Sequence, residues 1–130
     1  MCGIMGIWTD ESLACPALDK LTGLVAHRGP DDVGEEVWRK AGKFSLGHRR
    51  LAILDCSMAG RQPMERDGVR IVYNGEVYNY VELREELTAK GETFETGTDT
   101  EVVLASWREW GQGCLSRFNG MFAFLMLDLE

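Results

Sequence analysis

The chain has 130 residues, 45% of them apolar and 27% charged, which sets one domain with a single core and excludes a disordered or fibrous chain. A net charge of -7, from 14 Lys plus Arg against 21 Asp plus Glu, argues against nucleic-acid and acidic-membrane binding, both of which need a basic face. No apolar run approaches the roughly 20 residues that span a bilayer, and the first residues lack the basic flank and apolar core of a secretory signal, which points to the cytoplasm.

The chain starts Met1-Cys2-Gly3-Ile4-Met5-Gly6-Ile7-Trp8. Met1 is of the kind trimmed when a small residue follows, which would leave Cys2 with a free α-amine. Thiol nucleophile and amine base would then share one residue, as in a Thr activated by its own N-terminal amine; an α-amine titrates near 7.7 to 8.0 in isolation. The competing reading is an inert cysteine at a frayed terminus. Ile4, Met5, Ile7 and Trp8 with interspersed glycines predict a short buried strand, which would anchor Cys2 in the fold.

Pro16 suits a first helical position, and Leu18, Leu21, Leu24 and Val25 follow at helical spacing, so a helix is expected from Pro16 to Ala26. His27-Arg28-Gly29-Pro30-Asp31-Asp32 has the chemistry of a turn. Strands are expected at 35–39 and 44–54, although His48-Arg49-Arg50 is an odd content for a core strand. Residues 60–68 read as a polar loop holding Pro63. Val69, Ile71 and Tyr73 alternate into Asn74-Gly75, a hairpin signal, with a return strand at Val77 and Tyr78.

Asn79 and Glu82 have capping-box spacing before Tyr80, Leu83 and Leu87, with Gly91 as a stop. Thr98 and Glu101 repeat the pattern before Val103, Leu104, Trp107 and Trp110, closed by Gly111. Met121 to Asp128 is a continuous apolar run, as expected of a strand covered on both faces. Placed at the end of the chain, it leads to the expectation of a fold continued elsewhere. The four cysteines, at 2, 15, 56 and 114, form no C-x-x-C pair, so neither a zinc site nor a dithiol motif is expected and a reducing compartment fits. Cys15, Cys56 and Cys114 read as structural, and His27 and His48 as hydrogen-bonding residues rather than general bases.

Six stretches stand in one order: Met1-Cys2-Gly3-Ile4, His27-Arg28-Gly29-Pro30-Asp31, Gly47-His48-Arg49-Arg50-Leu51, Asn74-Gly75-Glu76-Val77-Tyr78-Asn79, Thr96-Gly97-Thr98-Asp99-Thr100-Glu101 and Gly120-Met121-Phe122-Ala123-Phe124. Together they resemble the glutaminase domain of the glutamine-dependent asparagine synthetases, over essentially the whole chain. The resemblance implies an α+β N-terminal-nucleophile hydrolase, a four-layer sandwich of two mostly antiparallel sheets between helices. Here it would be an incomplete glutamine amidotransferase type 2 domain over residues 1–130, truncated at the C-terminus.

The implied activity is hydrolysis of L-glutamine to glutamate and ammonia, with Cys2 as nucleophile through a thioester. By the same resemblance Arg50 holds the substrate α-carboxylate, which a guanidinium can do with two parallel bonds. Asn74 and Gly75 supply the oxyanion hole. Leu51, Ala52, Ile53 and Leu54 line the pocket through backbone atoms, and Glu76 and Asp99 surround the α-amino group. For Arg50 the alternative is a strand-end ion pair, for Asn74-Gly75 a hairpin turn, and for Asp99 a first-turn acid favoured by the helix dipole.

No metal and no cofactor are implied for this domain. ATP and magnesium belong to the family's synthetase domain, which is absent: no Ser-Gly-Gly-x-Asp type phosphate loop occurs. The implied partners are glutamine and a synthetase domain or subunit, with a homo-oligomer left open. Two other readings stand beside the enzyme, namely a non-catalytic module that binds a synthetase partner and the glutaminase part of an amidotransferase with a different ammonia acceptor.

Overall fold

The computed structural model describes residues 1–10, 18–39 and 43–128. Among these described residues, six strands form two three-stranded antiparallel sheets. The first contains β1 (Gly3–Thr9), β2 (Asp32–Arg39) and β3 (Lys43–Arg50) in the order β1-β3-β2. The second contains β4 (Met64–Arg66), β5 (Val69–Val77) and β6 (Gly120–Asp128) in the order β4-β5-β6. Helix α1 (Leu18–Leu24) packs on the first sheet, and α3 (Asp99–Trp110), with α2 (Tyr80–Ala89) beside it, packs on the second. β1 and β3 meet β5 between the sheets, which gives helix, sheet, sheet, helix layering and an α+β fold.

The register assigns every side chain a face, because paired residues in an antiparallel ladder point the same way. In β5 and β6 the pairs Ile71–Met126 and Tyr73–Phe124 share a face. That face joins Leu83 and Leu87 of α2 and Val102, Val103 and Leu104 of α3 in the main core. The alternate pairs Val72–Leu125, Asn74–Ala123 and Glu76–Met121 face the first sheet. Gly6 of β1 permits this approach, since a Cβ there would lie 2.5 Å from Leu125 Cδ1.

The odd His-Arg-Arg content of β3 follows from the same alternation. His48 points between the sheets and its Nε2–H donates to the Tyr73 carbonyl at 3.2 Å. Arg49 points the other way, and its Nε donates to the Thr22 carbonyl of α1 at 3.1 Å. Arg50 returns to the inner side and is buried. Each charge or ring has a partner outside its own strand, so the strand stays in the core without an orphaned polar group.

Several sequence expectations are corrected. Asn74-Gly75 is no hairpin turn: both residues lie inside β5 and pair with Ala123 and Phe122. β3 ends at Arg50, so 51–54 leaves the sheet as a loop, and β2 begins at Asp32. The polar loop contains the three-residue β4, and the Gln62–Pro63 bond before it is cis. β6 is not covered on both faces; Phe122, Phe124 and Met126 pack on the core while Met121 is 71% exposed.

The helix expected at Pro16 to Ala26 is seen from Leu18 to Leu24, followed by a 3₁₀ turn at Ala26–Arg28; Cys15 and Pro16 lie outside the described residues. Asn79 precedes α2 but does not cap it. Its amide bridges instead to the Arg117 carbonyl at 2.9 Å and the Asn119 N–H at 2.8 Å. Thr98 does cap α3, its hydroxyl accepting from the Glu101 N–H at 3.3 Å.

Candidate active site

Cys2 lies immediately before β1, and two neighbours fix it there. Arg28 Nε donates to the Cys2 carbonyl at 3.0 Å, which gives the His27-Arg28-Gly29 turn a structural task. The Leu51 N–H donates to Cys2 Sγ at 3.3 Å. Leu51 can do so because β3 has just ended, leaving its N–H outside the ladder. Asp31 supports the same loop by accepting from the Ala52 N–H at 2.8 Å. Gly29 is required beside it, since a Cβ there would fall 2.3 Å from the Arg49 carbonyl oxygen.

The thiol opens onto a cleft of about 290 Å³, at the small end of ligand pockets. Every residue singled out from the sequence lines it: Cys2, Arg50, the Leu51, Ala52, Ile53 and Leu54 segment, Asn74, Gly75, Glu76 and Asp99. The sheets deliver these groups from different layers. Cys2 and Arg50 come from strand ends of the first sheet, Asn74 to Glu76 from β5, and Asp99 from the first turn of α3.

Arg50 is held from behind rather than by a carboxylate. Its Nη1 donates to the Ser57 carbonyl at 2.7 Å, and its Nη2 donates to the Asp55 carbonyl. Gly60 packs against the guanidinium, where a Cβ would lie 2.2 Å from Nη2. A guanidinium has five N–H donors, so these two bonds orient the fork and leave donors for an anion. Asp55 in turn pins the loop to the turn before α3, accepting from Ser57 N at 2.8 Å and Gly97 N at 3.2 Å. Hydrogen bonds from the Ser57 hydroxyl and the Ser57 and Gly97 backbones hold the Asp55 carboxyl below its ordinary range.

Asn74 projects from the cleft-facing side of β5. Its Oδ1 is buried without a hydrogen-bond partner among the described residues, which marks a polar group with an unused bond in the cleft wall. Gly75 has φ +150, and a Cβ there would sit 2.3 Å from the Met121 carbonyl oxygen. Only glycine brings β5 this close to β6 at that conformation.

Asp99 is buried, and its carboxylate bonds to β5 rather than to its own helix. Oδ2 accepts from the Tyr73 hydroxyl at 2.8 Å and from the Val77 N–H at 3.0 Å. Sequence reasoning missed Tyr73, Gln62, Gly60, Asp55 and Thr100, all of which line the cleft. Gln62 is buried and joins two walls, its Oε1 accepting from Tyr73 N at 2.6 Å and its Nε2 donating to Thr100 Oγ1 at 3.2 Å. No local signal marks these residues, because each acts through a partner far away in the chain.

A buried imidazole stands behind the site. Burial, opposed in part by the bond to the Tyr73 carbonyl, brings His48 down from 6.5 to about 4. It is therefore neutral at pH 7 and serves as a fixed donor between the sheets. Among the described residues there is no cluster of His, Cys, Asp and Glu able to hold a metal ion, and no helix long and apolar enough to cross a membrane.

A family model described as a glutamine amidotransferase domain matches residues 1–130. The chain is 43% identical to asparagine synthetase [glutamine-hydrolyzing] 3 of Bacillus subtilis, covering 98% of this chain and 21% of that protein. It is 38% identical to asparagine synthetase [glutamine-hydrolyzing] 2 of Oryza sativa subsp. japonica, covering 98% of this chain and 22% of that protein. It thus spans about a fifth of the length of these relatives. Its fold matches glutamine phosphoribosylpyrophosphate amidotransferase from B. subtilis with a TM-score of 0.75 at 22% identity, over 98% of this chain and 35% of that one. The fold is that of the N-terminal-nucleophile hydrolases, and the chain belongs to the glutamine amidotransferase domain family.

Proposed function

We propose that the chain hydrolyses L-glutamine to glutamate and ammonia, and that the ammonia serves ATP-dependent asparagine synthesis by a synthetase domain or subunit. The observation that carries this reading is the convergence of a held thiol, a guanidinium fork, an Asn-Gly pair and a buried carboxylate on one small cleft. Glutamine presents a matching set of groups: an amide carbon to attack, an oxygen that gains charge, a carboxylate and an ammonium.

In this mechanism Met1 is removed and the Cys2 amine takes the thiol proton, directly or through water. Sγ attacks the side-chain amide carbon, and the oxygen becomes negative against the Asn74 amide and the Gly75 N–H. Among the described residues Asn74 Oδ1 has no hydrogen-bond partner, so the amide is free to turn its NH₂ to that oxygen. The intermediate collapses to a Cys2 thioester as ammonia leaves with the returned proton, and water then releases glutamate. Arg50 holds the α-carboxylate, while Asp99 and Glu76 balance the α-ammonium. Leu51 to Leu54 form the wall beside the thiol.

These steps use only groups of this chain, so the hydrolytic half needs no cofactor. ATP and magnesium enter the proposal only with the synthetase part. A reduced Cys2 fits a cytoplasmic setting, where thiols persist.

Intact-mass analysis before and after treatment with 6-diazo-5-oxo-norleucine tests the reading. Loss of Met1 together with a single adduct on Cys2 is the expected result. A retained Met1, or a processed chain that takes no adduct, would overturn it.

A further inference from the structure

Tyr73 has all three of its polar groups bonded to three different parts of the fold. Its N–H donates to Gln62 Oε1 at 2.6 Å, its carbonyl accepts from His48 Nε2 at 3.2 Å, and its hydroxyl donates to Asp99 Oδ2 at 2.8 Å. The first two are backbone bonds that hold the strand. The third is the only one a phenylalanine would lose. The ring packs in the core beside Phe124, its cross-strand neighbour, so packing alone does not account for the hydroxyl.

Asp99 is the first residue of α3, where unpaired N–H groups and the positive end of the helix attract a carboxylate. Left to itself, Asp99 would turn back onto its own helix. Instead Oδ2 is captured by Tyr73 and by the Val77 N–H, both from β5. Two bonds to one oxygen fix the plane of the carboxylate and leave Oδ1 for another partner. Burial, reinforced by the charge of Asp99, pushes the Tyr73 hydroxyl above the ordinary phenol range. It therefore stays protonated and remains a donor.

We propose that Tyr73 is a positioning residue for substrate selection, its hydroxyl holding Asp99 so that the second carboxylate oxygen meets the α-ammonium of an amino-acid substrate. The inference rests on the reading of Asp99 given under the proposed function. Tyr73 thereby selects an α-amino acid over the same chain lacking the amine, while the amide chemistry at Cys2 proceeds independently of it.

The test compares steady-state hydrolysis of L-glutamine and of 4-carbamoylbutanoate, which lacks the α-amine, by the full chain and by its Tyr73→Phe and Asp99→Asn variants. In Tyr73→Phe, KM for glutamine should rise about tenfold with kcat nearly unchanged. The constants for the des-amino analogue should not move, so discrimination narrows by the same factor. An equal fall on both substrates would show that Tyr73 serves only the fold, and unchanged discrimination would also overturn the proposal. Asp99→Asn separates the two ideas. Discrimination lost in Asp99→Asn but kept in Tyr73→Phe defeats the role of Tyr73 alone, whereas discrimination kept in Asp99→Asn defeats the reading of Asp99.

Discussion

The Leu51 N–H donates to Cys2 Sγ at 3.3 Å, so the residue directly after Arg50 holds the thiol while Arg50 itself enters the same cleft. One strand end thus sets the spacing between the sulfur proposed to attack and the group proposed to hold the substrate carboxylate. Replacing Cys2 with Ala should abolish glutamine hydrolysis while leaving glutamine binding measurable by calorimetry. Turnover at the unaltered rate would remove Cys2 as the nucleophile.

Gly60 offers a test of the Arg50 clamp that leaves Arg50 in place. Because a Cβ at residue 60 would fall 2.2 Å from Arg50 Nη2, Gly60→Ala must displace the guanidinium from its Ser57 and Asp55 carbonyls. KM for glutamine should rise about tenfold with a smaller change in kcat, as should follow from Arg50→Lys, where a fork becomes a point charge. Steady-state kinetics check both variants. An unaltered KM in each would place Arg50 outside the substrate site.

Asn74 and Gly75 should separate chemistry from architecture. Asn74→Ala removes the proposed donor to the developing oxyanion and should lower kcat by about 100- to 1000-fold with little change in KM. Gly75→Ala drives a methyl into the β6 backbone at Met121 and Phe122. It should cost about 2 to 4 kcal/mol of stability, read from urea unfolding. A Gly75→Ala chain as stable as the unaltered one would contradict the strand contact.

His48 predicts how stability depends on acid. The unfolded imidazole titrates at 6.5 and the buried one at about 4, so between these values only the unfolded chain takes up the proton. This contribution is intact above pH 6.5, falls as the pH drops towards 4 and levels off below it. It amounts to roughly 3 kcal/mol, at about 1.36 kcal/mol per pH unit. Urea midpoints of the unaltered chain and of His48→Gln between pH 7 and 4 measure it. The variant should show a shallower slope, and an identical slope would assign the acid loss to other groups.

The local pattern was a sound guide where an element's signal is carried by its own residues. Thr98 followed by Glu101, then Val103 and Leu104, marked α3 because a cap and an apolar stripe are short-range features. Asn79 carried the same spacing, yet its amide went to Arg117 and Asn119, since a long-range partner was within reach. Asn74-Gly75 misled for a related reason. The pair is turn chemistry in isolation, but β6 lies alongside and completes the ladder through it.

The sequence by itself determined the candidate nucleophile, the order of the six motifs and the residue types that line the cleft, because the proposed chemistry constrains side chains one by one. Tertiary structure alone decided that these residues meet. Cys2 and Leu51 are 49 positions apart, Tyr73 and Asp99 are 26 apart, and no local pattern records which strand end will lie against which helix. It also decided how each group is held: Arg50 by carbonyls, Asp99 by a tyrosine hydroxyl, and the two sheets by a neutral histidine. Such contacts arise only when separate layers pack and buried polar groups must find their partners across them.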